Sequence, residues 1–108
     1  VPRRIDVAPG KFAEVNFQLE SGDKVAATFQ GPGDARVKWN VHSHGPDGGH
    51  VVHDEGTGAT GNIEFTAPSD GVFSFLWINE GDAAVPMAFE VSLDGSGSVH
   101  SWVPASEG

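Results

Sequence analysis

The run Val72-Phe73-Ser74-Phe75-Leu76-Trp77-Ile78-Asn79 is the most apolar stretch of the chain, and its reading decides the fold. Alternate residues of a strand point to opposite faces, so Phe73, Phe75 and Trp77 share one face while Val72, Leu76 and Ile78 share the other. A strand that is apolar on both faces belongs in the middle of a sheet or beneath a cover. It cannot stand at an edge facing water on one side.

Working outward, the same two-residue period recurs with one face polar. Phe12 to Leu19 sets Val15, Phe17 and Leu19 against Glu14, Asn16 and Gln18. Lys24 to Gln30 alternates through Val25, Ala27 and Phe29, and the intervening Ser21-Gly22-Asp23 reads as a turn joining the two runs into a hairpin. Val37, Trp39 and Val41 oppose Lys38, Asn40, His42 and His44. Asn62 to Thr66 carries Ile63 and Phe65 on one face, and Val85, Met87, Phe89, Val91 and Leu93 alternate in a long later strand. Short strands around Ile5 and Val7, from His50 to Glu55, and from Val99 to Val103 complete the pattern. The 15 glycines and 7 prolines cluster between these runs, as turn chemistry requires. Seven to eight strands about ten residues apart predict an all-β, antiparallel two-sheet sandwich of jelly-roll or immunoglobulin-like type. With 108 residues and no internal linker, residues 1–108 read as a single domain. Its expected core is Val15, Phe17, Trp39, Val41, Phe65, Phe73, Phe75, Trp77, Phe89 and Val91.

Composition removes whole classes of function. Fifteen acidic against six basic side chains give a formal net charge of −9, which repels a phosphate backbone. Nucleic acid is therefore excluded as an expected partner, and no segment is long and apolar enough for membrane insertion. The absence of cysteine removes disulfides, thiolate metal sites and thiol catalysis together. Any metal must be held by His, carboxylate or thioether. The opening Val1-Pro2-Arg3-Arg4, without initiator Met or apolar leader, predicts a mature fragment whose export signal or anchor lies elsewhere, and hence a periplasmic or extracellular setting.

The segment Phe65-Thr66-Ala67-Pro68-Ser69-Asp70-Gly71-Val72-Phe73, followed by Trp77, Ile78 and Asn79 and by the strand Met87 to Leu93, resembles the Golgi-dynamics (GOLD) β-sandwich family. Val37 to Val41 looks like that family's early aromatic strand. The resemblance covers about residues 35 to 95 and implies a cargo- or partner-binding role, the partner expected here being another exported or membrane protein. It implies no catalytic residues. The chain lacks the cysteine pair and heptad segment of the eukaryotic trafficking members, which argues against a vesicle-transport role and for a stand-alone exported module of the same shape.

Four of the five histidines fall within twelve residues: His42, His44, His50 and His53, around the turn Gly45-Pro46-Asp47-Gly48-Gly49. Two residues apart on a strand, His42 and His44 share a face at a distance one metal ion can bridge. A third ligand must come from the partner strand, and the hairpin register selects it. If Asp47-Gly48 is the two-residue turn, His42 faces His53, and the site is His42, His44 and His53. A loop one residue different sets His44 opposite His50. The first register is preferred because it keeps Val52 inside with Trp39 and Val41. Asp54 and Glu55 are candidates for a fourth ligand or an orienting partner, and His100 joins only if the last strand folds over the cluster. Neutral imidazoles suit copper or zinc. The competing reading is a wet hairpin face that is merely polar.

The aromatic residues Trp39, Phe73, Phe75 and Trp77 alternate with small or polar residues and read as core rather than as a sugar platform, whereas Trp102 is the better candidate for exposure. Met87 is in phase with Val85 and Phe89 and reads as core rather than as a soft copper ligand. Ser, His and Asp occur without a nucleophile elbow, so hydrolase chemistry is not supported. The leading expectation is a non-catalytic extracytoplasmic module holding copper or zinc. A metal-free GOLD-type interaction module is the second. The third is a copper–zinc superoxide dismutase-like enzyme, to whose metal-binding segment Val41-His42-Ser43-His44 is similar, although the dismutase cysteines and active-site arginine motif are missing.

Overall fold

Alternation of one apolar with one polar residue makes strands that are stable only when two sheets close over a shared core, and that is how the chain folds. The computed structural model describes residues 3–45 and 47–103. Pro46 of the expected turn lies outside the described residues, as do Val1 and Pro2. Among the described residues there are nine strands and no helix: β1 (Arg3–Val7), β2 (Phe12–Leu19), β3 (Lys24–Gln30), β4 (Val37–His44), β5 (His50–Thr57), β6 (Gly61–Thr66), β7 (Gly71–Asn79), β8 (Val85–Asp94) and β9 (Ser98–Val103). One sheet has the order β1-β8-β3-β6 and the other β5-β4-β7-β2-β9.

The pairings β4 with β5, β3 with β6, β2 with β7 and β1 with β8 are all antiparallel. They are nested around the β4–β5 turn, as though one long hairpin had been rolled into two layers. This is the jelly-roll arrangement rather than the immunoglobulin one. The ninth strand extends the second sheet by pairing with β2.

The apolar run that decided the fold becomes β7, the middle strand of the five-stranded sheet. Phe73, Phe75 and Trp77 enter the core with Phe17, Phe29 and Phe89. Phe29 and Phe89 stand 5.5 and 4.6 Å from Trp77, ring centre to ring centre. Of the expected core, Val15, Phe17, Val41, Phe73, Phe75, Trp77 and Phe89 are buried, while Trp39, Phe65 and Val91 pack against its edge. Met87 is buried in the core as its phase predicts.

Two expectations are corrected here. β2 and β3 are not a hairpin: β2 pairs with β7 and β9, and β3 with β6 and β8, so the Asp23 turn carries the chain from one sheet to the other. Both strands have one apolar face, and facing each other across the core buries both faces. Asp23 pins this crossing by accepting hydrogen bonds from the backbone of Glu20 (2.9 Å) and Ser96 (3.2 Å). Trp102 is not freely exposed either. It is half-buried, 5.6 Å from Phe89 and beneath the Arg3 guanidinium at 5.2 Å.

The residues that carry the GOLD resemblance have structural roles in this fold. Asp70 accepts a hydrogen bond from Ser21 N–H at 2.8 Å. Asn79, fully buried at the end of β7, donates to the carbonyls of Val7 (2.9 Å) and Ala83 (2.8 Å) and accepts from Gly81 N–H (2.9 Å). It ties three segments of the sandwich rim together.

Candidate metal centre

The β4–β5 hairpin forms one side of the five-stranded sheet, with β5 as an edge strand. Its base is held by Trp39, which lies over Gly56 on the facing strand. A methyl group at Gly56 would come within 2.5 Å of the indole, so only glycine permits this closeness. The tip closes through Gly45 N–H to Gly49 C=O (2.7 Å) and Gly48 N–H to Gly45 C=O (2.9 Å), with Gly48 at φ 84°.

Both registers considered for the hairpin occur in it. From Lys38 to Val41 the strands pair as a two-residue turn would dictate, Val41 opposite Asp54. Between Val41 and His42 the register slips by one, and the tip then pairs His42 with Val52 and His44 with His50. The slip is a β-bulge whose extra residue, between Val52 and Asp54, is His53. The preferred pairing of His42 with His53 is therefore corrected. Val52, expected inside, is 52% exposed on the outer side. The five-residue loop, not a two-residue turn, sets the tip.

The consequence is a grouping of His42, His44 and His50, whose ligating atoms all lie within 4.8 Å of one another. His53 is elsewhere. Its Nε2 is 2.7 Å from Ser43 Oγ, and its ring stands 5.5 Å from Phe65 and 5.4 Å from Phe73. Asp54 lies opposite Val41 and accepts from Glu55 N–H at 2.9 Å, and neither it nor Glu55 belongs to the histidine group. His100 is on β9, at the opposite edge of the sheet from β5.

The three rings differ in freedom. His42 is only 3% exposed, and its Nδ1 lies 2.7 Å from Asn40 Oδ1. An amide oxygen accepts, so Nδ1 carries the proton and the Nε2 lone pair is left for a ligand. Burial pushes the His42 pKa down to about 4, helped by the nearby His50, His44 and His53 rings, because a charged imidazole there would lose hydration and meet like charges. At neutral pH His42 is in the form a metal needs. His44 and His50 are exposed. The His50 ring stacks on His42 at 4.7 Å with 9° between planes, and His44 stands edge-on to both, 5.5 Å from His42 and 4.6 Å from His50. A metal lies in the plane of each imidazole that binds it, and two parallel stacked rings have no common in-plane point. The His50 ring must therefore turn out of this stack to share an ion with His42, a rotamer change that its exposure permits.

Two residues of this face escape the sequence reading. Alternation places Asn40 only on the polar side of β4, and nothing local links Glu14, on β2, to the histidines. Glu14 Oε2 lies 3.8 Å from His42 Nε2, reached across the intervening β7. The in-register row Asn40, Leu76 and Glu14 runs from β4 across β7 to β2, so a correct sheet order would have exposed the proximity.

No protein-family model matches the sequence, and no curated protein is similar to it. Among solved structures, the chain is similar in fold to the Yersinia pseudotuberculosis-derived mitogen (YPM), with a TM-score of 0.69 and 6% identity over 89% of this chain and 86% of that one. It is also similar to PliG, a periplasmic lysozyme inhibitor of g-type lysozyme from Aeromonas hydrophila, with a TM-score of 0.61 and 14% identity over 87% and 83%. PirA gives a TM-score of 0.60 and 17% identity over 86% and 93%. At such identities the likeness is one of fold alone. These chains are similar to this one as small β-sandwich-like domains.

Proposed function

We propose that this domain is a non-catalytic, extracytoplasmic binding module that takes a transition-metal ion, copper or zinc, on His42, His44 and His50. The observation that carries the reading is the closeness of three imidazoles from two paired strands, one of them buried and hydrogen-bonded through Nδ1 to Asn40. Such a set gives a copper or zinc ion three nitrogen ligands and leaves a further position for a carboxylate, water or partner group. The non-catalytic, exported character is supported by fold analogy: PliG, a periplasmic inhibitor, is built on a similar sandwich.

Calorimetric titration of the chelator-treated protein with Cu(II) and Zn(II) at pH 7.5 tests the reading. One saturable equivalent is expected. His44→Ala and His50→Ala should each lose most of the affinity, while His53→Ala and His100→Ala should retain it. Loss in His53→Ala with retention in His50→Ala would restore the His42, His44 and His53 set. No saturable binding to the unaltered protein would leave the metal-free GOLD-type interaction module in place of this reading. Superoxide dismutation by the copper-loaded protein would move it to the enzyme class.

A further inference from the structure

We propose, building on the metal-binding reading above, that Glu14 is a fourth ligand of the same ion, so that three imidazoles and one carboxylate form a four-coordinate centre for a divalent cation of the zinc class. Glu14 Oε2 is 3.8 Å from His42 Nε2. In the neutral His42 ring, with Nδ1–H engaged by Asn40 at 2.7 Å, the nitrogen facing the carboxylate carries a lone pair. Two electron-pair donors therefore point at each other across a half-buried gap with no hydrogen between them. A cation in that gap converts a repulsive contact into two bonds.

The spacing suits an ion. Bonds of about 2.0 to 2.2 Å at a tetrahedral angle hold nitrogen and oxygen about 3.3 to 3.5 Å apart, so the Glu14–His42 pair needs to close by only a few tenths of an ångström. The larger adjustment falls on His44 and His50, which are exposed and free to rotate. The two least mobile donors are thus already close to ligand spacing, and the two mobile ones supply the rest.

Among the described residues, the polar side chains beside the carboxylate are engaged elsewhere. Asn16 and Ser74, its polar neighbours along β2 and β7, are engaged with each other, and Asn16 Nδ2 donates to Ser101 Oγ at 3.1 Å. Glu14, like Asp54 and Glu55, lies outside the 4.8 Å histidine grouping, and what sets it apart is that its carboxylate stands 3.8 Å from His42 Nε2. Glu14 arrives from the interior side of the sheet, across β7, while His50 arrives from the edge strand, so the two approach His42 from opposite sides of β4. A carboxylate with three imidazoles is a harder donor set than imidazoles alone and favours Zn(II) over Cu(I). It also fills the fourth position, which makes the centre a holding site without an open place for chemistry.

The test is the isosteric Glu14→Gln, which keeps size and removes charge, read against Glu55→Gln, an exposed carboxylate on β5, and His44→Ala. Metal-free melting curves establish that each variant is folded. Zn(II) calorimetry and the visible spectrum of the Co(II)-substituted protein are then recorded. Glu14→Gln should weaken Zn(II) by about tenfold or more and change the Co(II) spectrum, and Glu55→Gln should do neither. Unchanged affinity and spectrum in Glu14→Gln, with binding lost in His44→Ala, would overturn the Glu14 assignment and leave the histidine site standing. Absence of saturable binding in the unaltered protein would overturn both.

Discussion

Acidifying the metal-free protein should expose the cost of keeping His42 neutral. In the unfolded chain this imidazole titrates near 6.5, and in the folded protein its pKa is pushed down to about 4 by burial and by the His50, His44 and His53 rings. The unfolded state therefore takes up a proton first. Above about pH 6.5 neither state is protonated at this site, and His42 adds no pH dependence. Between about 6.5 and 4 stability falls as pH falls, and below about 4 the loss is complete because both states carry the proton. At 1.36 kcal/mol per pH unit, the full loss is about 3 kcal/mol, a large share of a small domain's margin. The groups at the ring are His44 and His50 on the hairpin and Glu14 from β2, with His53 acting on it from beside Phe65 and Phe73. Urea unfolding followed by tryptophan fluorescence, with chelator, at pH 7.5, 6.5, 5.5 and 4.5 measures the fall. His42→Gln, which cannot take the proton, isolates it, since the carboxylates are common to both proteins and their contributions cancel. Between pH 7.5 and 4.5 the wild-type stability should fall by about 2.5 kcal/mol more than that of His42→Gln. Parallel curves, or a His42 ring proton titrating near pH 6.5 by NMR, would refute the reasoning.

Four further outcomes are expected. Trp77→Ala should cost about 3 to 5 kcal/mol in denaturant titration, because the indole is 1% exposed and its removal leaves a cavity among Phe29, Phe75 and Phe89. Gly56→Ala should cost about 1 to 3 kcal/mol and shift the Trp39 emission to the red, since the new methyl occupies space held by the indole. Asn79→Ala should cost about 2 to 4 kcal/mol by calorimetry, as the Val7 and Ala83 carbonyls and the Gly81 N–H lose their partner together. Saturating Zn(II) should raise the melting temperature at pH 7.5, and less at pH 5.5, because protonated imidazoles cannot bind; an equal shift at both values would contradict histidine ligation.

The all-β class, the strand positions and most of the core were legible in the sequence because they follow from local rules. Two-residue alternation locates the buried side of Phe12 to Leu19 or of Val85 to Leu93 wherever those strands finally pair, and Gly and Pro mark the breaks. The centrality of β7 was legible for the same reason, since a strand with Phe75 and Trp77 on one face and Leu76 and Ile78 on the other has no stable place at an edge. The histidine-rich hairpin was visible as a cluster of His residues around a turn. Which histidines meet was not. That depends on a bulge at His53, which slips the register by one residue between Val41 and His42 and sends two neighbouring imidazoles to different surroundings. The register that pairs His44 with His50 was legible as an alternative, but nothing in the alternation marks that both registers are used or where one gives way to the other. Sheet order was likewise invisible. The alternation of β2 and β3 is satisfied equally by a hairpin or by two facing sheets, and only closure of the common core selects the second. That choice sets β2 beside β7 and brings Glu14 to His42, two residues with no local sequence relation. The sequence by itself determined what each strand buries, because burial periodicity is a property of the strand alone. Only the tertiary structure decided which donors share a face and a distance, because that depends on pairing energies summed over both sheets.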